Sequence, residues 1–461
     1  MPHGPLHRKG GIFGKALRYA PLTLTTLAAL VPPELNAEIQ LLDEGVEDLN
    51  LDGINADIVG ITCITGTSHR AYEISSHLRQ RGIPTVLGGV HPTLVPNEAQ
   101  KHADAIITGF AEQSWPQLLR DFAQGEMKPR YTQAPDFHFA GMPTPRRDLL
   151  DRTKYITMNT VQATRGCYKK CDFCVVPKAW PGFLTRPVRE VIEEIEQLSG
   201  KIFLFLDLSP LEDPVYIKQL YRELIPLKKR WGGLATMEIA RDPEMLELAA
   251  KSGCGGLLRG IESVSPETIR RIGKAGLNTP QTYLEDIKKI HGAGIAINGC
   301  FVFGHDGDDK SVFERTVEFI DKAAIDLPRF AIATPFPNTG LYKSLKMQNR
   351  LLHEHWPYYD TQHPVFQPAL MTPDELLEGH LWAWKQTYRL PMVARRVWNS
   401  KAIHRWAVAQ HTVPANLAYR FFSQYLPEFA MTSCEVPPPA PITQKDVLAA
   451  APLYQIQTKE S

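Results

Sequence analysis

Strand and helix patterns alternate along residues 156–333, and this alternation constrains the fold more than any other feature of the chain. Short runs rich in β-branched and aromatic residues predict strands, and longer amphipathic segments between them predict helices. Strands are predicted at 156–163, 201–207, 233–239, 255–261, 295–303 and 328–333, with helices near 187–199, 214–229, 243–252, 281–292 and 310–324. These strand–helix units predict an α/β protein with a partial (β/α)6 barrel of the TIM type, whose chemistry lies at the carboxyl ends of the strands.

A shorter alternation precedes the barrel and predicts an open, Rossmann-like parallel sheet with ligand-binding loops at the carboxyl ends of its strands. Strands are predicted at 37–42, 56–62, 84–89 and 105–109, and helices at 71–81, 97–102 and 112–125. The predicted parts of the chain are an N-terminal domain at 1–125, a proline-rich linker at 126–155, the barrel at 156–340, a helical region at 341–435 and a flexible tail at 436–461.

Three of the seven cysteines lie close together, directly after the first predicted barrel strand, in the pattern Cys167-x3-Cys171-x2-Cys174. Three thiolates can hold three irons of a [4Fe–4S] cluster and leave the fourth iron open to a small molecule. A structural zinc site is the alternative, but tetrahedral zinc needs four ligands, and no second Cys or His pair lies nearby in the sequence. The spacing therefore favours an iron–sulfur cluster, with a non-catalytic, zinc-stabilised binding protein as the competing interpretation.

The charge of the chain is balanced, with 51 basic and 50 acidic residues and a formal net charge of +1. This balance argues against a nucleic-acid partner, which would require a strongly basic face. The longest apolar-leaning stretch, residues 19–33, is too short and too polar to span a bilayer, and no secretory signal is evident. We therefore expect a cytoplasmic protein.

Aromatic residues recur with arginine and lysine along residues 381–425, which are predicted to be helical. Such a segment could lie on a membrane surface or cover a lipophilic substrate. A helical lid that packs on the barrel explains the same pattern, and we prefer this interpretation. Membrane association stays open as the alternative.

The cysteine pattern, with Phe173 directly before the third cysteine, resembles that of the radical S-adenosylmethionine (SAM) superfamily. The N-terminal domain is similar to the cobalamin (B12)-binding domain that precedes the barrel in one subgroup, which includes the class B radical SAM methyltransferases. The resemblance covers nearly the whole chain and rests on further motifs at 88–93 (GGVHPT), 108–112 (TGFAE), 260–263 (GIES), 303–306 (FGHD) and 334–339 (TPFPNT).

The resemblance implies three cofactors, which are a [4Fe–4S] cluster, SAM and cobalamin. In such enzymes SAM chelates the open iron, and electron transfer cleaves it to methionine and a 5′-deoxyadenosyl radical that activates the substrate. Methylcobalamin, formed from another SAM, supplies the methyl group to an unactivated carbon. The implied partners are a small-molecule or lipophilic substrate and an electron donor such as flavodoxin or ferredoxin. Radical cyclisation, oxidation or rearrangement without methyl transfer is the alternative for an enzyme of the same build.

The resemblance also assigns candidate site residues. The implied cluster ligands are Cys167, Cys171 and Cys174, and the residues expected to contact SAM are Phe173, Asp207, Glu262, Gly304 and Pro335. Those expected at cobalamin are Thr65, Thr67, Ser68, Gly88, Gly89, His91, Gly109 and Glu112. His91 is expected to make a structural hydrogen bond rather than to bind cobalt, because the Asp-x-His-x-x-Gly pattern of His-ligated cobalamin proteins is absent.

The chain departs from the family pattern in two places. Asp207 is followed by Leu208, where relatives usually carry a further acidic or amide residue. Relatives also open with an apolar strand that is not evident before residue 37, so the first strand of the N-terminal sheet is expected to be missing. Either the true start of the chain lies upstream, or the domain is trimmed and binds cobalamin weakly.

Overall fold

The computed structural model describes residues 18–400, Ala402 and 406–425, so the tail predicted at 436–461 lies outside the described residues. The strands are β1 Val59–Thr62, β2 Thr85–Gly88, β3 Ala105–Thr108, β4 Arg130–Thr132, β5 Thr160–Val161, β6 Thr164–Gly166, β7 Phe183–Thr185, β8 Ile202–Phe205, β9 Arg230–Leu234, β10 Cys254–Glu262, β11 Ala296–Phe303 and β12 Arg329–Ile332.

The helices predicted between the strands are present, and further short helices that the alternation does not predict accompany them. They are α1 Leu22–Ala29, α2 Ser68–Gln80, α3 Val90–Leu94, α4 Pro96–Ala99, α5 Ser114–Ala123, α6 Val176–Ala179, α7 Val188–Gln197, α8 Pro214–Leu224, α9 Pro243–Lys251, α10 Pro266–Arg271, α11 Tyr283–Gly292, α12 Ser311–Ala323, α13 Gly340–Met347, α14 Pro373–Thr387, α15 Leu390–Asn399 and α16 Trp406–Tyr425. Within the described residues, no helix combines the length and the apolarity needed to cross a bilayer.

The N-terminal sheet has four parallel strands in the order β1-β2-β3-β4. Its fully buried centre includes Leu87 on β2 and Ile106 on β3, because strands covered on both faces are apolar throughout. Strand β4 comes from the segment that was predicted as a linker, so part of that segment belongs to this sheet.

Residues 37–42 do not form the predicted strand. Their apolar side chains alternate as in a strand, but the segment has no regular structure, and Leu41 packs against Leu150 and Tyr155 instead. Hydrophobic alternation alone cannot distinguish a strand from an extended segment that packs without a hydrogen-bonded neighbour. Strand β1 is therefore the first strand of the sheet and lies at its edge.

The second sheet has six parallel strands in the order β12-β11-β10-β9-β8-β5 and forms the expected partial barrel. The strand predicted at 233–239 instead spans Arg230–Leu234, followed by a 3₁₀ turn at Met237–Arg241. Glycines are unfavourable in most strands. Here Gly232 is tightly packed, because a Cβ atom would lie 3.3 Å from Leu204 and 3.4 Å from the Gly256 carbonyl oxygen.

Several barrel helices begin with a capping residue followed by proline, which fixes where each strand-to-helix loop ends. The side chains of Asp213, Asp242, Ser265 and Thr372 each accept a hydrogen bond from a backbone N–H in the first turn of α8, α9, α10 and α14. A polar cap satisfies an otherwise unpaired N–H, and proline suits the first helical position because it needs no donor there. These sequence features therefore place the helix starts at the carboxyl ends of the strands.

Candidate active site

The loop at residues 167–174, here called the cysteine loop, carries Cys167, Cys171 and Cys174. It lies between the two strands of an antiparallel hairpin, β6 and β7, which the sequence did not predict. Gly166, directly before Cys167, has φ +80°, and a Cβ atom there would overlap the Gly182 carbonyl oxygen at 2.1 Å. The backbone N–H of Cys167 donates to that same oxygen at 3.0 Å. Only glycine fits this close approach, so the hairpin fixes where the loop leaves the barrel.

The three cysteine thiols are half-buried in an environment that holds both hydrogen-bond donors and a cation. The backbone N–H of Lys169 lies 3.4 Å from Cys167 Sγ, and this thiol donates to Glu212 Oε1 at 3.3 Å. Burial raises the pKa of Cys171 to about 11, and the positive charge of Lys274 opposes that rise. Metal binding displaces the thiol proton, and N–H donors and a nearby cation favour the resulting thiolate.

The donor set fits a cluster held by three thiolates. Among the described residues, no three Cys, His, Asp or Glu side chains converge on one point as a single metal ion would require. Thiolates that each bind a different iron do not need to converge in this way. The fourth iron of such a cluster has no cysteine in this loop and is left for a small-molecule ligand.

Glu262 ends β10 at a β-bulge and lies beside the cysteine loop through its partner Lys274. Lys274 Nζ donates to Glu262 Oε1 at 2.5 Å and lies 5.8 Å from the centre of the Phe173 ring. Glu262 has φ +63°, a left-handed conformation that is unfavourable for a non-glycine residue and is concentrated at functional sites. Burial opposes the charge of Lys274, but the Glu262 carboxylate outweighs it and raises the pKa of the lysine.

Sequence reasoning missed Lys274. The residue lies between two glycines, Gly273 and Gly276, after a short helix. A lysine in such a position is ordinarily expected to be a solvent-exposed loop residue. Its side chain is instead largely covered, with 15% of its surface exposed. Lys274 lies only twelve residues after Glu262, which was the one hint in the sequence of a pair between them. A separation of twelve residues does not by itself imply contact, and it is the fold of the loop that brings the two side chains together.

The ring of Phe173 lies beside the ring of His305, which directly follows Gly304. The rings of Phe173 and His305 are 5.9 Å apart, and His305 Nε2 is buried without a hydrogen-bond partner. Burial lowers the pKa of His305 to about 4, so the ring is neutral at pH 7. Asp308 accepts from the backbone N–H groups of Gly304 and His305 at 3.1 Å each and fixes this turn. A buried polar atom without a partner is the kind of group that a bound polar ligand satisfies.

Asp207 does not present a free carboxylate to a ligand. It is 2% exposed, and its oxygens accept from the backbone N–H groups of Ala163 and Thr164 and from the Thr164 hydroxyl at 2.6 Å. Burial raises the pKa of Asp207 to about 6, while the bonds from Thr164 oppose the rise. The Asp207 carboxylate therefore holds the strand end that leads into the cysteine loop.

Pro335 is buried in the segment that follows β12, and this segment packs on the cysteine loop. The backbone N–H of Leu341 donates to the Asp172 carbonyl oxygen at 3.1 Å. The side chain of Asn338 donates to the Leu94 carbonyl oxygen, which lies in the N-terminal domain. The segment from Pro335 to Leu341 therefore links the cysteine loop to the N-terminal domain.

Glycines shape the turns after β2 and β3 in the N-terminal domain. Gly89 has φ +97°, and a Cβ atom there would lie 2.7 Å from Thr62 Oγ1 and 2.8 Å from the Cys63 carbonyl oxygen. Gly109 has φ +80°, and its Cβ atom would lie 2.7 Å from Gln133 Oε1. Gly88, Gly89 and Gly109 are partly exposed, so these turns offer a cradle of bare backbone at the carboxyl edge of the sheet.

His91 is fully buried, and both ring nitrogens are engaged within the protein. Nε2 lies 2.9 Å from the Tyr72 hydroxyl and 3.3 Å from Glu98 Oε1, and Nδ1 lies 3.4 Å from Thr65 Oγ1. A histidine needs a free nitrogen lone pair to bind a metal. His91 is therefore built into the domain as a hydrogen-bonding group and does not offer a ligand to cobalt.

The residues after β1 are not all brought to the glycine cradle. Thr65 and Ser68 are buried, and the Ser68 hydroxyl donates to the Thr65 carbonyl oxygen at 2.9 Å. Gly66 lies under the Tyr359 backbone, where a Cβ atom would be 3.2 Å from the carbonyl oxygen. The Thr67 hydroxyl donates to the Ile64 carbonyl oxygen at 3.2 Å. This turn packs beneath the segment that follows the barrel.

Glu112 joins the N-terminal domain to the cysteine hairpin. It forms an ion pair with Arg165 on β6, and the Arg165 guanidinium lies over the rings of Phe110 at 5.0 Å and Phe139 at 4.3 Å. The second oxygen of Glu112 is buried without a hydrogen-bond partner. Phe110 also stacks on Trp180, with ring centres 6.0 Å apart. The glycine cradle and the cysteine loop are therefore held next to each other.

The glycine cradle and the unpaired Glu112 oxygen fit a bulky polar cofactor in the N-terminal domain. Helix α3, directly after Gly88 and Gly89, contacts α6, which begins two residues after Cys174. A ligand in the cradle and a ligand at the cysteines would thus be neighbours.

Comparison with known proteins agrees with this arrangement. Residues 26–119 match the B12 binding domain, and residues 161–320 match the radical SAM superfamily. The bacteriochlorophyllide d C-12(1)-methyltransferase of Chlorobaculum tepidum is 32% identical over 82% of this chain and 84% of that protein. The bacteriochlorophyllide d C-8(2)-methyltransferase of the same organism is 31% identical over 79% of this chain and 86% of that protein.

A solved structure shows the same fold at low identity. The radical SAM methyltransferase TsrM from Kitasatospora setae, with cobalamin and a [4Fe–4S] cluster bound, has a TM-score of 0.61 and 17% identity, covering 72% of this chain and 75% of TsrM. The match to the radical SAM superfamily, together with the two methyltransferase relatives, contradicts the zinc-stabilised binding protein as the interpretation of the cysteine pattern. The chain belongs to the radical SAM superfamily, in the group of enzymes that carry a B12-binding domain and use a [4Fe–4S] cluster, SAM and cobalamin.

Proposed function

We propose that this enzyme transfers a methyl group from SAM to an unactivated carbon of a tetrapyrrole of the bacteriochlorophyllide type. The observation that carries the proposal is the identity of 32% and 31%, over about four-fifths of the chain, to two methyltransferases that act on such rings. The two relatives modify different carbons and match the chain almost equally. The proposal therefore names the substrate class and the reaction, not a position on the ring.

Cys167, Cys171 and Cys174 hold the cluster in this proposal. When bound, the three cofactors supply an electron for SAM cleavage, a radical that removes a substrate hydrogen atom, and a carrier for the methyl group. The protein itself contributes binding, orientation and exclusion of water. The hairpin at Gly166 and the buried Asp207 carboxylate set the position of the cysteine loop for this purpose.

Glu262, Lys274 and Phe173 form the proposed seat for SAM. The Glu262 carboxylate uses one oxygen for Lys274, which leaves acceptor capacity for a hydroxyl of the ligand. Phe173 offers a ring face, and the neutral His305 ring beside it has a free Nε2 atom. Gly304 and Pro335 shape the backbone around this seat, since a Cβ atom at Gly304 would lie 2.7 Å from Leu376.

The turns at Gly88–Gly89 and Gly109 form the proposed cradle for cobalamin. Backbone N–H and carbonyl groups can approach a large ligand closely there because no side chain intervenes. Glu112 would accept a hydrogen bond from the ligand through its unpaired oxygen. His91, Thr65, Thr67 and Ser68 support the cradle from within the domain rather than by direct contact.

The proposal is tested with the anaerobically reconstituted holoenzyme, SAM carrying a deuterated methyl group, and bacteriochlorophyllide substrates lacking methyl groups at candidate positions. Reduced flavodoxin or ferredoxin serves as the electron donor. We expect the deuterated methyl group to appear in the tetrapyrrole by mass spectrometry, and to be absent with a Cys167→Ala, Cys171→Ala, Cys174→Ala variant. An oxidised, cyclised or rearranged product without the label would contradict methyl transfer and support the alternative radical chemistry.

A further inference from the structure

The concave side of the barrel includes Arg329, an arginine that the proposed mechanism does not use. Along β11, Ile297, Phe301 and Phe303 pack in the core against the helices, so the residues that alternate with them face the concave side. Arg329 on β12 is in register with Cys300 on β11. Its neighbours Phe330 and Ile332 are also core residues. Arg329 therefore projects into the interior of the barrel.

The interior is closed beneath Arg329 by helix α16. Ala296, two layers below Cys300 on the same face of β11, packs against Ala402 and Val408. The Arg329 guanidinium carbon lies 6.0 Å from the centre of the Tyr419 ring on α16. The direction toward the carboxyl ends of the strands leads away from this floor.

Arg329 has no anionic partner within the part of the chain that the structure describes. The groups that act on its charge are Tyr419, Cys300, Tyr388 and Tyr19, and phenols and thiols are neutral at pH 7. Arg329 is partly buried, and a guanidinium that loses part of its hydration without gaining a hydrogen-bonding anion is destabilised. The charge of Arg329 is therefore left for something that enters the barrel.

Several other covered arginines in this chain pair with carboxylates, whereas Arg259 and Arg396 donate to backbone carbonyl or amide oxygens instead. Arg147 and Arg186 both pair with Glu194, and Arg165 pairs with Glu112. Arg350, at 16% side-chain exposure, pairs with Asp306 at 2.7 Å. Arg329 differs from all of these because its guanidinium has no hydrogen-bonding partner among the described residues and faces the barrel interior.

A second polar group without a hydrogen-bond partner among the described residues lies one layer below Arg329. Asn298 faces the same side of β11 as Cys300, and its side-chain oxygen is buried without a hydrogen-bond partner. The amide can present either its oxygen or its NH2 group, since the two orientations are nearly indistinguishable. Together with Arg329 it forms a polar step in an otherwise apolar and aromatic interior.

This polar step is continuous with the proposed SAM seat. Cys300 lies close enough to Arg329 on one side, and to Glu262 and Lys274 on the other, for their charges to act on its thiol. Arg329 lies three residues from the carboxyl end of β12, which corresponds to about 10 Å along a strand. An anion on Arg329 would thus lie about 10 Å below the carboxyl edge of the sheet, where the proposed SAM seat lies.

We propose that Arg329 binds a carboxylate of the substrate and thereby orients a ring-bearing acid in the barrel. The inference rests on the proposed function for its substrate class and adds a group that this class must carry. A guanidinium binds a carboxylate through paired N–H donors, which fixes orientation as well as charge. Arg329 is a substrate-positioning residue in this account and has no part in binding the cluster.

The test compares a tetrapyrrole acid, pyropheophorbide a, with its methyl ester by absorbance titration of the holoenzyme. We expect the wild type to bind the acid about tenfold more tightly than the ester. Arg329→Gln should lose this preference, and Arg329→Lys should keep part of it. Arg120→Gln removes an exposed arginine far from the barrel and should behave as wild type. An unchanged acid preference in Arg329→Gln would overturn the proposal.

A second arm separates this proposal from the proposed function. If neither tetrapyrrole binds the wild type, the substrate class is wrong, and Arg329 is then judged with 2-naphthoate by ligand-observed NMR. Naphthoate binding that is lost in Arg329→Gln, with iron content and melting temperature unchanged, would support a carboxylate site for another acid. Naphthoate binding that is absent from the wild type, or that persists in Arg329→Gln, would overturn it.

Discussion

The two sides of the candidate site are built from different materials. The barrel side, which consists of the cysteine loop with Glu262 and Lys274, uses thiols, a carboxylate and a cation. The N-terminal side, which consists of the turns at Gly88–Gly89 and Gly109, uses bare backbone. The histidine that follows the first of these turns, His91, is bound within the domain. A cofactor held by metal ligation and charge needs the first kind of surface, and a large ring held by shape needs the second.

This comparison predicts that the two sides fail separately when mutated. Changes on the barrel side should remove the cluster or SAM and leave corrinoid binding intact. Changes on the N-terminal side should do the reverse. The following predictions are ordered by the size of the effect that we expect.

The largest effect is expected from Cys171→Ala, which removes one of three thiolates. Neither of the other two cysteines can replace it, because each binds a different iron. We expect SAM cleavage by the reconstituted enzyme to fall below detection, while the corrinoid content stays at the wild-type value. Product analysis by liquid chromatography and a corrinoid absorption spectrum check both parts. Cys254→Ala, which alters a buried thiol in the barrel core, is the control and should retain SAM cleavage. Loss of corrinoid along with the iron in Cys171→Ala would break the comparison.

The next effect is expected from Gly89→Ala on the N-terminal side. The added Cβ atom would overlap Thr62 Oγ1 at 2.7 Å, and φ +97° is unfavourable for alanine, so the turn must move. We expect corrinoid affinity to fall by about tenfold or more, with iron content unchanged. Gly82→Ala is the control, because Gly82 also has a positive φ, of +78°, but a Cβ atom there would have open space around it. It therefore measures the cost of the unfavourable backbone angle without a steric overlap. Equal corrinoid loss in both variants would assign the effect to domain stability instead.

A smaller effect is expected from Lys274→Met, which leaves the Glu262 carboxylate without its covered partner. Removing one member of such a pair costs about 2–5 kcal/mol when the pair is buried, and partial exposure reduces this value. We expect SAM affinity to fall by roughly ten- to a hundredfold, with corrinoid binding unchanged. Isothermal titration with SAM measures the change. Lys274→Arg should keep most of the affinity, and equal losses in Met and Arg variants would contradict an electrostatic role.

The smallest effect concerns stability rather than binding and involves Asp207. Its pKa is raised to about 6 in the folded protein, so between about pH 4 and pH 6 the folded state holds a proton that the unfolded state has lost. The free energy of unfolding should therefore fall by roughly 1–3 kcal/mol from this group as the pH rises through that window. Asp207→Asn should flatten this slope.

Chemical denaturation of wild type and Asp207→Asn at several pH values measures this difference. Asp148→Asn is the matched control, because Asp148 is exposed and its pKa is lowered by Arg146. A pH slope that is the same in wild type and Asp207→Asn would show that Asp207 is not the titrating group.

The sequence was most informative where residue type alone determines the chemistry. The strand–helix alternation predicted both parallel sheets, and the cysteine spacing favoured an iron–sulfur cluster over zinc. It was misleading where the backbone decides. The strand at Arg230–Leu234 was displaced in the prediction because it contains Gly232 and Gly233, which pack against neighbouring strands. The segment 37–42 alternates like a strand but has no partner.

The site residues show the same division. Lys274 could not be recognised, because only the folded loop brings it to Glu262. The family pattern predicts Asp207 at SAM, and its hydrogen bonds to Ala163 and Thr164, which hold the strand end, become visible only in the folded chain. Arg329 carries no motif at all, and its lack of a partner becomes visible only when the register of β11 and β12 is known.

The measurement that tests the account most directly is the iron, sulfide and corrinoid content of the wild-type protein after anaerobic reconstitution with cobalamin. The account predicts about four irons per chain together with an equimolar amount of corrinoid. Iron without corrinoid would contradict the N-terminal cradle and remove the basis for methyl transfer. Corrinoid without iron would contradict the cysteine loop as the cluster site.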